Sequence, residues 1–423
     1  FLALAGGLSA LLAGSALAAD WPMIQRDPAH SGFSDVGPVA PLRKLWRAHS
    51  NDPEDSFTTW PIVGGGVVFA SSGDGVLAVE AETGRRKWFN DKLGGQIIAG
   101  AASDQRAVYM SVPFGRLVAL DRESGEEIWS FKAEDDLGSP AIANGKVFVP
   151  ANPVSQTKAF YAVNAADGKL AWKTPSRFSP DTVPAVAGGK VIVTADDLQS
   201  DNGEILALDE TTGKEVWAVP AVAGKNSPSI LEDKVIFGGG DLFAHALDLD
   251  TGKEVWRSPL YGGFDPENAP AVAYGDVFLA DGVGNIYRLD GKTGKRKWAW
   301  GDHQGLDIVG FGGQFPVIAG KTLYIGNGAG WLYGLNVDNG RLLWQHQIGG
   351  FVYSGAADEK RFYVGVKFRN EGVYAFDHDP SGKIEPIPRP PNKFLSLISG
   401  LLIFSLMFGA LVFFVRRSRS SKA

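Results

Sequence analysis

The side chains of this chain that could move protons or hold a metal are scattered. Its six histidines (His30, His49, His245, His303, His346 and His378) show no metal-ligand spacing. The absence of cysteine removes disulfides, thiolate metal sites, a cysteine nucleophile and a lipid-bearing N-terminal cysteine. Outside the apolar first residues there is no G-x-S-x-G elbow, and there is no phosphate loop or H-E-x-x-H pair. Gly326-Asn327-Gly328-Ala329-Gly330 imitates a phosphate loop. It runs into Trp331-Leu332-Tyr333-Gly334-Leu335, which reads as a strand and not the helix such a loop requires. No catalytic, cofactor-binding or metal-binding residue is therefore predicted.

Acidic residues do recur in a set of irregular loops. They are Glu54 and Asp55, Asp135 and Asp136, Asp181, Asp265 and Glu267, and Asp307. Such a set could meet a basic partner surface or a divalent cation, but ordinary solvated loop composition accounts for it more simply. The segment Asp196 to Glu204 lacks the regular ligand alternation and closing bidentate glutamate of a calcium loop. Trp60 and Trp331 are candidate stacking platforms near the same loops, with packing between structural units the preferred reading.

These loops must be positioned by something regular, and the sequence repeats. The phrase stands as DRESGEEIW (121–129), NAADGKLAW (164–172), DETTGKEVW (209–217), DLDTGKEVW (248–256), DGKTGKRKW (290–298) and NVDNGRLLW (336–344), with EAETGRRKW (80–88) a variant. Trp46 stands in KLW without the turn. The repeat tryptophans are Trp46, Trp88, Trp129, Trp172, Trp217, Trp256, Trp298 and Trp344. Asp at the head of the phrase can bond its own backbone, and Gly supplies the positive φ of a tight turn. The tryptophan that follows lands on an outer strand, where it can wedge against the next unit.

Between these phrases lie short apolar, β-branched runs separated by Gly, Asn and Asp turns, such as Val191-Ile192-Val193. They predict β-hairpins, four strands to a repeat, and hence the blades of a propeller. After Trp344 three strands remain without a tryptophan. The segment around Leu45-Trp46 is expected to supply the fourth and close the ring. The predicted fold is an all-β, eight-bladed propeller of four-stranded blades. If each blade runs from the axis outwards, its tight turns share one face and its irregular loops the opposite, distal face.

The phrase D-x-x-T-G-x-x-x-W, with the opening Asp20-Trp21-Pro22-Met23-Ile24-Gln25-Arg26-Asp27-Pro28-Ala29-His30-Ser31-Gly32, resembles the pyrroloquinoline-quinone-like (BamB-like) β-propeller repeat family over roughly residues 20–384. WD40 repeats fit worse, since no repeat tryptophan is followed by Asp. The resemblance implies the fold and two competing functions. Quinone-dependent dehydrogenases of the family stack PQQ on a tryptophan in the channel and hold Ca²⁺ with Glu, Asn and Asp. This chain lacks the adjacent cysteine pair of such sites and the long insertions that roof them, although some relatives bind the quinone without that pair. The BamB-like members are scaffolds, and here the lipid-bearing cysteine of that lineage is missing.

The two ends bear on compartment. Residues 1–19 are apolar, end in Ala16-Leu17-Ala18-Ala19 and read as a signal peptide whose start is truncated. Residues 385–393 form a Pro-rich linker. Residues 394–415 are an uncharged run of 22, about 33 Å as a helix and enough to cross a bilayer. The basic tail 416–423 then lies in the cytoplasm, and the propeller, 20–384, lies outside it. The body from 20 to 392 carries 36 basic and 47 acidic side chains, a poor partner for nucleic acid. The expectation is a monomeric, membrane-anchored scaffold that meets envelope or extracellular proteins through its distal loops. The alternatives are a PQQ- and Ca²⁺-dependent dehydrogenase and an extracellular ligand-binding module.

Overall fold

The computed structural model describes residues 20–49 and 60–382, apart from 74, 96, 98, 153–155, 181, 198–201, 223–225, 262–268, 283, 302–313 and 369. The predicted signal segment, the linker, the predicted span and the basic tail lie outside these residues. Among the described residues no helix is long and apolar enough to cross a membrane.

Eight sheets, antiparallel apart from one short added strand, follow one another along the chain, the first seven running in sequence order from an inner strand to an outer one. Blade 1 is Ile62–Gly64, Val67–Ser72, Gly75–Glu80 and Arg86–Asn90. Blades 2 to 7 repeat the plan over 101–132, 141–175, 185–222, 229–259, 271–300 and 317–347. Blade 8 takes Phe351–Ala357, Arg361–Lys367 and Gly372–His378 from the C-terminal part and its outer strand, Leu42–Ala48, from the N-terminal part. Leu42 pairs with His378 and Ala48 with Val373, so the ring closes as the count of tryptophans predicts.

The middle strands are apolar without alternation because neighbouring blades cover both their faces. All six residues of Val67–Ser72 and of Ala107–Val112 are buried. Outer strands are largely exposed with an inward tryptophan, as in Leu170–Pro175, where Trp172 is buried between exposed neighbours. Two blades carry a fifth, two-residue strand. Ser179–Pro180 pairs with the second strand of blade 4, and Phe33–Ser34 lies parallel to the inner strand of blade 7.

That second short strand belongs to a feature outside the repeat. Residues 20–34 cross the tight-turn end of the axis and bond to one inner strand after another. Trp21 exchanges both backbone hydrogen bonds with Val63 of blade 1, and the Pro22 carbonyl accepts from Ser103 of blade 2. The carbonyls of Pro28, Ala29, Ser31 and Gly32 accept from Val186, Ile230, Val272 and Ile318 of blades 4, 5, 6 and 7. Trp21 is 1% exposed, and Gln25 and His30 are wholly buried.

Candidate functional site

The seams between blades are built from the repeat phrase. At the head of most of these turns a carboxylate caps its own loop, and in blade 7 the Asn336 side-chain oxygen does so. Asp209 Oδ1 accepts from the Thr212 amide and hydroxyl, both at 2.7 Å, and Asp248 and Asp290 do the same with Thr251 and Thr293. The Thr293 hydroxyl and then Lys297 hold the Asp290 carboxyl down to about 2. The following glycines take φ near +70°, from Gly84 to Gly340.

The tryptophans reach the next blade. Indole nitrogens of Trp88, Trp129, Trp172, Trp217, Trp256 and Trp298 donate to the carbonyls of Arg122, Ala165, Glu210, Leu249, Gly291 and Val337 at 2.9–3.0 Å. Trp46 on the closing strand makes the matching bond to Ala81 of blade 1 at 3.2 Å. Each of these rings lies against the turn glycine of the blade it reaches, from Trp46 on Gly84 to Trp298 on Gly340. Trp344 is 2% exposed and packs edge-on against Phe376 of blade 8, where no such turn follows. Burying one indole contributes about 1.5–3 kcal/mol.

The axis is filled from both ends of the inner strands. Gln25 Nε2 donates to the Ala269 and Pro270 carbonyls at 3.0 and 3.1 Å, and His30 Nδ1 lies 2.9 Å from the Pro228 carbonyl. Burial pushes the His30 imidazole down to about 4, so it is neutral and donates through Nδ1. Above this plug Trp60 stacks on Phe315 and meets Tyr353 edge-on, with ring centres 6.2 and 5.3 Å apart. Ile24 and Val183 pack with the same cluster. Trp60 thus packs against residues of blades 7 and 8 and the plug. Trp331 stacks with Tyr333, which also meets Trp300 of blade 6, so it sits in the seam between blades 6 and 7.

Of the acidic distal set, Glu54, Asp55, Asp181, Asp265, Glu267 and Asp307 lie outside the described residues. Asp135 and Asp136 are turn acceptors. Asp135 Oδ2 accepts from the Gln156 amide at 2.8 Å, and Asp136 Oδ1 from the Gly115 amide at 2.8 Å. The distal loops also present aromatic tips that the sequence reading passed over. Phe114 is 70% exposed, Tyr261 63% and Phe368 53%. Phe114 and Phe368 take φ of 65° and 73°, a conformation bulky residues rarely adopt. Each stands in the loop from second to third strand, where only its backbone geometry distinguishes it from a core phenylalanine.

PQQ with Ca²⁺ would need an axial seat and converging oxygen ligands. The plug and the Trp60 cluster occupy that axis. Among the described residues no three His, Asp or Glu side chains converge to hold a metal. No step is derived through the pair.

A family profile described as outer membrane protein assembly factor BamB matches in overlapping stretches, 43–131, 73–198, 114–264 and 201–359. Outer membrane protein assembly factor BamB of Yersinia pestis is 25% identical over 337 residues, 73% of this chain and 81% of that protein. Tetrathionate hydrolase of Acidithiobacillus ferrooxidans is 24% identical over 358 residues, 76% of this chain but 64% of the hydrolase. Among solved structures, quinohemoprotein alcohol dehydrogenase from Comamonas testosteroni superposes with a TM-score of 0.65 at 17% identity, covering 90% of this chain and 83% of the other. The shared fold carries more than one activity.

Proposed function

Because this chain belongs to the family of the outer membrane protein assembly factor BamB, we propose that it is a membrane-anchored, extracytoplasmic scaffold that holds envelope proteins on its distal face. The observation that carries the reading is the pair of left-handed, exposed phenylalanines, Phe114 and Phe368, raised on opposite-facing hairpins from the tight turns. Backbone strain at an exposed aromatic costs about 1–3 kcal/mol and persists where surrounding structure holds it, a pattern concentrated at functional positions. Aromatic anchors are also the residues that dominate protein interfaces. The seams and the plug make the disc rigid, so a partner would meet these tips already in place. The anchor would be residues 394–415.

The test is crosslinking in cells from the distal loops. Partner recovery should fall at least severalfold in the double variant Phe114→Ser, Phe368→Ser and stay constant in Val39→Ser on the tight-turn side. Unchanged recovery in the double variant would sink the proposal. The dehydrogenase reading makes an opposite forecast, a saturable Ca²⁺-dependent rise in melting temperature on titration with PQQ. The absence of that rise, with loss of partner recovery, would leave the scaffold reading standing.

A further inference from the structure

In the first seven blades the third strand ends in the repeat turn, which leads into the outer strand. In blade 4, Asp209 heads that turn, Gly213 closes it at φ of 70°, and Glu215–Val222 follows. Blade 8 carries a shortened copy. Its third strand, Gly372–His378, runs on into Asp379-Pro380-Ser381-Gly382-Lys383. The Asp379 carboxylate accepts from the Ser381 amide and hydroxyl, both at 2.9 Å, as Asp209 accepts from Thr212. Gly382 takes φ of 67°, and its amide donates to the Asp379 carbonyl at 3.3 Å.

A turn of this kind sends the chain back along its blade. The place it leads to elsewhere is already taken, because Leu42–Ala48 pairs with Gly372–His378. That ladder extends past the strand ends, where the Asp379 amide donates to the Pro41 carbonyl at 2.8 Å. The next open position is the far edge of Leu42–Ala48. This strand is the last in its sheet, and among the described residues no backbone group bonds to its outward edge.

The sequence after the turn is patterned for that position. Successive amides of a strand point to opposite edges. Residues 384–390 read Ile-Glu-Pro-Ile-Pro-Arg-Pro, so Pro386, Pro388 and Pro390 remove donors from one edge alone. Glu385, Ile387 and Arg389 keep theirs on the other. Proline on the outward edge protects a terminal strand from further pairing. A proline-rich spacer that only spans a distance needs no such alternation.

We propose that residues 384–390 add to blade 8 as a fifth strand, bonded to the open edge of Leu42–Ala48 through the Glu385, Ile387 and Arg389 amides. Both segments run opposite to Gly372–His378, so they pair in parallel. Seven residues match the seven of Leu42–Ala48, about 23 Å each. The strap would deliver the chain to the distal rim, with residues 391–393 left before residue 394. One consequence rests on the anchor of the proposed function: the distal face then lies toward the membrane, and the proteins it holds are ones seated in or at that membrane.

The chain has no cysteine, so the test is disulfide crosslinking of the full chain in detergent micelles. Lys44→Cys, on an exposed residue of the closing strand, is combined in turn with Glu385→Cys, Pro386→Cys, Ile387→Cys and Pro388→Cys. At least one pair should crosslink fivefold or more above the same partners combined with Val216→Cys on the outer strand of blade 4, where Val216 is 47% exposed. In the chain without cysteines, hydrogen exchange at the Glu385 and Arg389 amides should quicken at least tenfold in Ile387→Pro, which removes a paired donor. It should change less than twofold in Pro388→Ala, which adds a donor to the outward edge. Melting temperatures check that the disc is intact in each variant. Yields no higher than the Val216 control, or equal exchange in the two proline variants, would overturn the strap. Recovery of the chain away from membranes, with the crosslink intact, would remove the anchor and leave the strap standing.

Discussion

The indole of Trp88 lies on Gly125 of the next blade, so close that a Cβ there would sit 2.5 Å from Trp88 Cε3. The same indole donates to the Arg122 carbonyl at 3.0 Å. Gly125 and Trp129 belong to one sequence phrase yet do not serve each other. Gly125 receives Trp88, and Trp129 passes on to Gly168. The repeat phrase is one half of a joint followed by the other half of the next.

Gly125 and Gly145 share φ of 74°, but nothing lies within 4 Å of a Cβ at Gly145. Gly145→Ala should therefore cost only the left-handed backbone penalty, about 1–2 kcal/mol. Gly125→Ala should cost about 1–3 kcal/mol more, since the ring or the turn must move. Urea melts of the two variants compare them directly, and equal losses would remove the ring contact from the account.

The plug should contribute measurably to stability. Gln25→Leu leaves the buried Ala269 carbonyl without this donor and the Pro270 carbonyl with the Ser229 hydroxyl, and should cost about 1–3 kcal/mol. The readout is the denaturation midpoint, with hydrogen exchange at Val186, Ile230 and Val272 expected to quicken.

His30 makes stability depend on pH in one window. Its folded pKa, about 4, lies below the unfolded 6.5, so between those values the unfolded chain binds more protons. Stability contributed here is intact above pH 6.5 and is lost as pH falls toward 4, on the order of 3 kcal/mol. His30→Asn, which tolerates the φ of 56° and keeps a donor, should flatten that slope even if the midpoint drops.

Asp276 is buried between Arg288 and Lys297, each at 2.6 Å, while Asp377 pairs with Arg43 at the rim. Asp276→Ala removes the close carboxylate partner of the almost buried Arg288, which keeps the Val337 carbonyl at 2.9 Å and Asp338 at 3.6 Å, and should cost about 1.5–3 kcal/mol. Asp377→Ala should cost under about 1 kcal/mol. Similar losses would mean the two pairs share one environment.

The blades were legible because each repeats a local necessity. An Asp that caps, a Gly at positive φ and a Trp four residues on recur at a spacing that only stacked hairpins satisfy. The plug was not legible in the same way. Its opening phrase marks the resemblance, but Gln25 and His30 act on carbonyls some two hundred residues away, and no period announces such contacts. Asp135 and Asp136 read as surface charge, whereas the Gly115, Gln156 and Thr157 amides take their lone pairs. Composition cannot separate a carboxylate that ties a hairpin from one offered to a partner. Phe114 was missed for the converse reason, since a phenylalanine in a strand-rich chain reads as core until its φ is known.

The crossing of residues 20–34 also sets a timetable. A chain is delivered N-terminus first, yet these residues dock on strands ending at Ala319, and Leu42–Ala48 waits for Gly372–His378. Docking of residues 20–34 can therefore begin on blade 1 but is completed only with blade 7, and the closing strand Leu42–Ala48 is the last to pair. Truncation anywhere before blade 8 would leave Leu42–Ala48 without the strand it pairs with, and the ring open.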